Sequence, residues 1–208
     1  MERHLDQDIS NLKHSLVKMA GMVEQAIDES IKALKKRDSD LAQRVIDQDA
    51  LINALEIQGE NLCLTIMARQ QPVAADLRFL LASVKINNDL ERMGDHAVNI
   101  AQKAQRLMKL PQLKPLIDIP YIANLVQTML KYSLDSFVDL DARKAKAVCE
   151  SDDEVDAIDH QIQRELLTYM LEDPKTISQA MDLTLVSKNL ERIADLSTNI
   201  GEEVIFIV

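Results

Sequence analysis

Two stretches of this chain carry carboxylates in a pattern suited to holding cations. The first reads Asp89-Leu-Glu-Arg-Met-Gly-Asp-His-Ala-Val-Asn-Ile-Ala101, the second Asn189-Leu-Glu-Arg-Ile-Ala-Asp-Leu-Ser-Thr-Asn-Ile-Gly201. They share Leu90/Leu190, Glu91/Glu191, Arg92/Arg192, Asp95/Asp195, Asn99/Asn199 and Ile100/Ile200 at a constant separation of 100 residues, which marks a duplication. On a helix, Glu and Asp at i and i+4 stack on one face, where like charges are destabilising unless something positive lies between them. Upstream of each copy is a second acidic set. Asp49, Asn53, Glu56 and Glu60 follow at i, i+4, i+7 and i+11, and 103 residues later come Asp152, Asp156, Asp159 and Gln163. At ~100° per residue each set forms one continuous polar stripe.

If these stripes adjoin, Asp49, Glu56, Glu91 and Asp95 converge in the first half, and Asp152, Asp156, Asp159, Glu191 and Asp195 in the second. All-oxygen sets suit hard or borderline cations, so the candidates are Mn, Mg, Fe or Ca. Zn is a weaker candidate. His4, His14 and His160 have no partner spacing, and His96 points about 100° away from Asp95, as a solvent or helix-contact residue would. The competing reading is a solvated acidic face paired with Arg92, Arg192, Lys188 and Arg164. That reading suits any lone Glu-x-x-x-Asp. Recurrence in both halves, with acids matched on a second helix, sets the cation reading beside it. The Glu-x-x-His pairs of di-iron bundles, a Gly-rich phosphate loop and a nucleophile with its base are all absent from the sequence.

Long helices must position these stripes. The chain has 208 residues, 47% of them hydrophobic, with only 4 Gly, 5 Pro and 3% aromatics. Few breakers among many Leu, Ala, Ile, Glu and Lys predict an all-α fold. Apolar periodicity gives helices over about 6–36, 41–69, 73–108, 121–140, 142–171 and from Pro174 to the C-terminus. Asp38, Asp141 and Asp173 are the expected N-caps, with Pro72 and Pro174 at first helical positions. Pro111, Pro115 and Pro120 cluster in 109–120. This divides the chain into a three-helix bundle at 1–108, a linker at 109–120 and a second three-helix bundle at 121–208. Leu90, Met93, Ala97 and Ile100 face inward, and Gly94 is placed for close helix approach.

A formal net charge of −10 argues against binding nucleic acid phosphates or anionic lipid. No apolar run approaches the ~18 residues of a membrane span. Cys63 and Cys149 lack metal-ligand spacing and read as reduced core residues of a cytoplasmic protein.

Gly21-Met-Val-Glu24, Asp38-Ser-Asp-Leu-Ala42, Arg69-Gln-Gln-Pro-Val-Ala-Ala-Asp-Leu-Arg78, both Leu-Glu-Arg segments and Leu167-Thr-Tyr-Met-Leu-Glu-Asp173 occur in an order that resembles the PhoU family over nearly the whole chain. The resemblance implies two tandem three-helix bundles in a cytoplasmic protein working at the inner membrane. It implies a non-enzymatic negative regulator of phosphate-starvation signalling, an adaptor between a PstB-type transporter ATPase and a PhoR-type sensor kinase, and a homodimer. It also implies multinuclear metal sites on Glu/Asp-x-x-x-Asp motifs, which match Glu91/Asp95, Glu191/Asp195 and Asp152/Asp156. Asn53 replaces the acid that would complete the matching motif in the first half, so weaker binding is expected there. Two other classes remain open: a carboxylate-bridged metal enzyme on a helical bundle, and a structural dimerisation bundle with no site.

Overall fold

The structure, a computed structural model, describes residues 4–208. The described chain is helical, with no strand. In order come α1 (His4–Lys36), α2 (Ser39–Gln70), α3 (Ala75–Leu107), α4 (Asp118–Asp139), α5 (Ala142–Glu150), α6 (Asp152–Glu172) and α7 (Ile177–Ile207), with one 3₁₀ turn at Pro174–Thr176. The expected caps are in place. Asp38 accepts from the Leu41 amide at 2.9 Å, and Asp141 from the Arg143 and Lys144 amides at 2.9 and 3.2 Å. Each satisfies amides that the first helical turn leaves without intrahelical acceptors. Asp173 caps the Lys175 amide at 3.0 Å, so Pro174 opens the 3₁₀ turn that leads into α7.

Two expectations need correction. Pro72 is not in the first turn of α3. Gln71 ends α2 in the left-handed region and Ala74 also has positive φ, so the backbone reverses before α3 starts at Ala75. The helix expected over 142–171 is broken at Ser151. There the Ser151 amide donates to the Val148 carbonyl at 3.0 Å, a tightened turn, and its hydroxyl donates back to the Ala147 carbonyl at 2.9 Å. Asp152, Asp153 and Glu154 then occupy the first turn of α6, where the helix dipole favours negative charge.

The first three helices pack on one another. In the second half α4, α5 and α6 all pack on α7. The fold is therefore two three-helix bundles in tandem, the middle helix of the second being jointed. They meet along α3 and α7, which run antiparallel. Lys85 pairs with Glu203 at one end of the seam, His96 meets Asn189 near its middle, and Lys103 and Arg106 hold buried Asp182 at the other. Beside the seam α1 packs on α4, and Phe79 stacks on Phe137 with ring centroids 5.2 Å apart. Leu90, Met93, Ala97, Ile100, Leu190, Ile193, Ala194 and Ile200 are fully buried. Each of the larger ones contributes ~1.5–3 kcal/mol by leaving water. One apolar core runs through both bundles. By contrast α2 touches only α1 and α3, and its remaining side faces solvent. No helix among the described residues is long and apolar enough to cross a membrane.

Candidate metal centres

Close helix approach brings the acidic stripes together. A Cβ on Gly94 of α3 would lie 3.2 Å from Ile52 and 3.4 Å from Asp49 Oδ1 of α2. The missing side chain therefore lets α2 settle onto α3 with Asp49 against it. One further contact fixes the pair: buried Asn87 donates to the Glu56 carbonyl at 2.8 Å beside Gly59. In the second half Gly201 does for α5 what Gly94 does for α2, since a Cβ there would meet the Ala145 carbonyl at 3.0 Å.

In the first half, burial raises the Asp49 pKa, and the charge of Asp95 raises it further. Glu91 is raised by burial, then by Asp95, Glu56 and Asp49, with Arg92 opposing. Glu91 thus feels the other three acids singled out in that half, two of them across the α2–α3 contact. Asn53 donates to Asp49 Oδ2 at 3.2 Å. Asp49 Oδ1 and Asn53 Oδ1 are buried with no hydrogen-bond partner.

The second half is more strongly perturbed. Asp152 is pushed up to about 6 by burial, then by Asp195, Asp156, Glu191 and Asp153. Glu191 is 8% exposed; one oxygen takes Lys188 Nζ at 2.5 Å, while Oε2 has no hydrogen bond and only a long ion pair to Arg192 Nε at 3.9 Å. Asp152 Oδ1 is likewise buried and unsatisfied. Arg192 reaches Asp195 at 3.4 Å. Asp152 and Asp195 open onto a cleft of about 270 Å³, also lined by Arg92, His96 and Asn199. His96 Nδ1 lies 2.8 Å from Asn189 Oδ1, the expected helix contact.

Asp159 stands apart. It is buried, and its two oxygens accept from Ser187 Oγ and Gln163 Nε2, both at 2.6 Å. Its carboxylate docks α6 on α7, as Asn87 docks α2 on α3. Sequence reasoning missed this clamp and also the like-charge repulsion between Asp89 and Glu203 across the seam. There burial raises the Asp89 pKa and the Glu203 charge adds to it. A signal existed for the first: Asn87 and Ser187 are one repeat apart, as are Glu56 and Asp159.

The donors are oxygens, and buried ones lack partners, so the residues fit a hard cation. Among the described residues no three acids, histidines or cysteines yet converge on one ligand point. The carboxylates are neighbours, not a closed shell.

The PhoU domain model matches the chain twice, over residues 16–104 and 119–204. The chain belongs to the PhoU family. Each match spans one bundle and one acidic cluster. The chain is 43% identical to the phosphate-specific transport system accessory protein PhoU homolog of Aquifex aeolicus, over 90% of this chain and 85% of that one. To the PhoU homolog of Pseudomonas aeruginosa it is 35% identical over 100% of this chain and 86% of the relative. Its fold is similar to the crystal structure of PhoU from Pseudomonas aeruginosa, with a TM-score of 0.95 and 36% identity over 98% of both chains. It also resembles the phosphate transport system regulatory protein PhoU from Streptococcus pneumoniae, with a TM-score of 0.90 and 25% identity over 98% of this chain and 96% of that one.

Proposed function

We propose that this protein is an accessory regulator of phosphate-specific transport that restrains phosphate-starvation signalling. It acts in the cytoplasm, at the inner membrane through its partners, as a homodimeric adaptor between a PstB-type transporter ATPase and a PhoR-type sensor kinase. It works by binding and not by catalysis. Whole-length similarity to named accessory proteins supports the system it serves. The observation that supports a cation-dependent adaptor is the pair of unsatisfied buried oxygens, Asp152 Oδ1 and Glu191 Oε2, at the α6–α7 contact. Asp152, Asp156, Glu191 and Asp195 would hold a cation there; Asp49, Glu56, Glu91 and Asp95 would hold another more weakly, with Asn53 neutral among them. A bound Mn, Mg, Fe or Ca would neutralise the clustered charge and tie each helix pair in one arrangement.

A melting series with each metal against chelator, on wild type and on Glu191→Gln/Asp195→Asn, tests the site. Binding to the folded form alone stabilises by ~2.7 kcal/mol at a hundredfold excess over the dissociation constant. The wild-type midpoint should rise with metal and the double variant should respond less. Pull-downs on kinase and transporter ATPase, with metal and with chelator, test the adaptor role. Equal responses of both proteins, or no capture of either partner, would remove the corresponding half of the reading.

A further inference from the structure

At its two ends the seam between the bundles sets charge against charge. Lys85 of α3 pairs with Glu203 of α7, and Lys103 and Arg106 of α3 pair with Asp182 of α7. Arg92 and Arg192 lie between these ends, and among the described residues neither makes an ion pair across the seam. Arg92 donates to Asp89 at 3.2 Å and Arg192 to Asp195 at 3.4 Å, each within its own helix. A guanidinium carries five N–H groups, so most of each fork is unused. The two arginines are one repeat apart, and because α3 and α7 run antiparallel, the duplication brings both to the wall of one cleft of about 270 Å³. Asp152, Asp195, His96 and Asn199 line it with them.

Two like charges on one cleft repel unless an anion lies between them, and planar forks of donors suit the oxygens of a tetrahedral oxyanion. The cleft is smaller than the ~300–1,000 Å³ of pockets for drug-sized ligands, so its scale is that of an ion and not of a nucleotide. His96 narrows the choice of ion. Asn189 gives its amide nitrogen to the Leu185 carbonyl at 2.6 Å, so the oxygen that meets His96 Nδ1 at 2.8 Å accepts, and Nδ1 carries the ring proton. Nε2 of the neutral ring is then an acceptor. Monohydrogen phosphate has a P–O–H to give it; sulfate has none, and neither has a phosphate monoester above its second pKa of about 6. Charge sets one further condition. A net charge of −10, with Asp152 and Asp195 in the cleft itself, turns a free dianion away. A cation on the neighbouring carboxylates would lift that repulsion.

We propose that the seam cleft binds inorganic phosphate, clamped by Arg92 of one bundle and Arg192 of the other, when the acids of the second bundle hold their cation. This rests on the cation reading above and names the anion that the loaded site takes. Phosphate and cation then raise each other's affinity by the same factor. The bound anion bridges the two bundles, so the regulator reads the solute whose transport it serves.

Equilibrium dialysis of radiolabelled orthophosphate against the full chain tests this at about pH 8, where a monoester has lost its second proton. It is run with Mn or Mg and with chelator, and metal uptake is measured on the same samples. Phosphate should be retained with metal and not with chelator. Arg92→Gln/Arg192→Gln should keep the metal and weaken phosphate roughly 10–100-fold, by removing two charged donors. Both side chains are more than half exposed, so this variant should melt near the wild-type temperature. Arg164→Gln, on α6 outside the cleft, should change nothing. Excess sulfate or phenyl phosphate should displace phosphate poorly. Metal uptake without phosphate, equal retention in chelator, equal displacement by sulfate or phenyl phosphate, or a double variant that loses metal or binds phosphate as wild type does overturns the phosphate site and leaves the cation reading standing. No metal uptake by wild type overturns both.

Discussion

At the scale of single residues, Gly59 and Gly21 make opposite demands. A Cβ on Gly59 would fall 2.6 Å from Asn87 Oδ1, whereas nothing lies within 4 Å of one on Gly21. Both sit inside helices, so Ala should gain up to ~1 kcal/mol in propensity at either. Gly21→Ala should show that gain as a higher urea midpoint. Gly59→Ala should displace buried Asn87 from the Glu56 carbonyl, lose about 1–3 kcal/mol by overpacking, and lower the midpoint on balance. Asp152 makes a titration prediction. Its folded pKa of about 6 lies above the ~3.9 of an unfolded chain, so between those values the folded state holds the extra proton. That stabilisation is complete below about pH 4 and is lost as pH rises through 6. In chelator, wild type and Asp152→Asn should melt alike at low pH, and wild type should fall below the variant above 6. The clustering of these acids was legible from two repeats at fixed offsets. The saturation of Asp159 was not, because nothing in the stripe itself says that Ser187 and Gln163 will take both its oxygens.

At the scale of the helix, the apolar seam was readable because period-3.6 burial leaves little freedom once a long stretch is helical. Leu90 and Leu190 are both fully buried, and truncation to Ala at either should cost about 2–5 kcal/mol in denaturant titration. A loss under about 1 kcal/mol at both would mean that the packing relaxes fully around the cavity. The caps at Asp38 and Asp141 were legible for a related reason: a short side-chain acceptor before a periodic run has few other roles. The break at Ser151 was hidden, since apolar spacing continues across it through Val148, Val155, Ile158 and Ile162. Only the hydroxyl bond back to Ala147 and three successive acids distinguish the site, and each is common inside intact helices. Pro72 was misplaced because its fixed φ suits a first turn, while the positive φ of Ala74 that delays α3 has no glycine to announce it.

At the scale of the molecule, the bundles came from the repeat, but their union did not. The antiparallel α3–α7 contact joins residues about 76 to 118 apart, and no local pattern pairs Asp182 with Lys103 and Arg106. Asp182 is 6% exposed, so Asp182→Ala should leave partly buried Lys103 without its counter-charge. The expected cost is about 1–3 kcal/mol, felt as cooperative loss of both bundles in a single thermal transition because the core is continuous. The two bundles differ in one mechanical respect. Apart from Asn53 standing where the second acidic cluster has Asp156, the difference is that α2 is an unbroken beam from Ser39 to Gln70, whereas its counterpart is jointed at Ser151. Asp152 stands at that hinge and its partners Glu191 and Asp195 stand on the stiff helix opposite. Anything that draws Asp152 toward them acts at the joint between α6 and α5, which is itself packed on α7. The same pull on Asp49 meets a beam that does not bend. If the proposed cations bind, the second cluster is the one placed at a joint in its middle helix, and the first is the one held on a continuous helix.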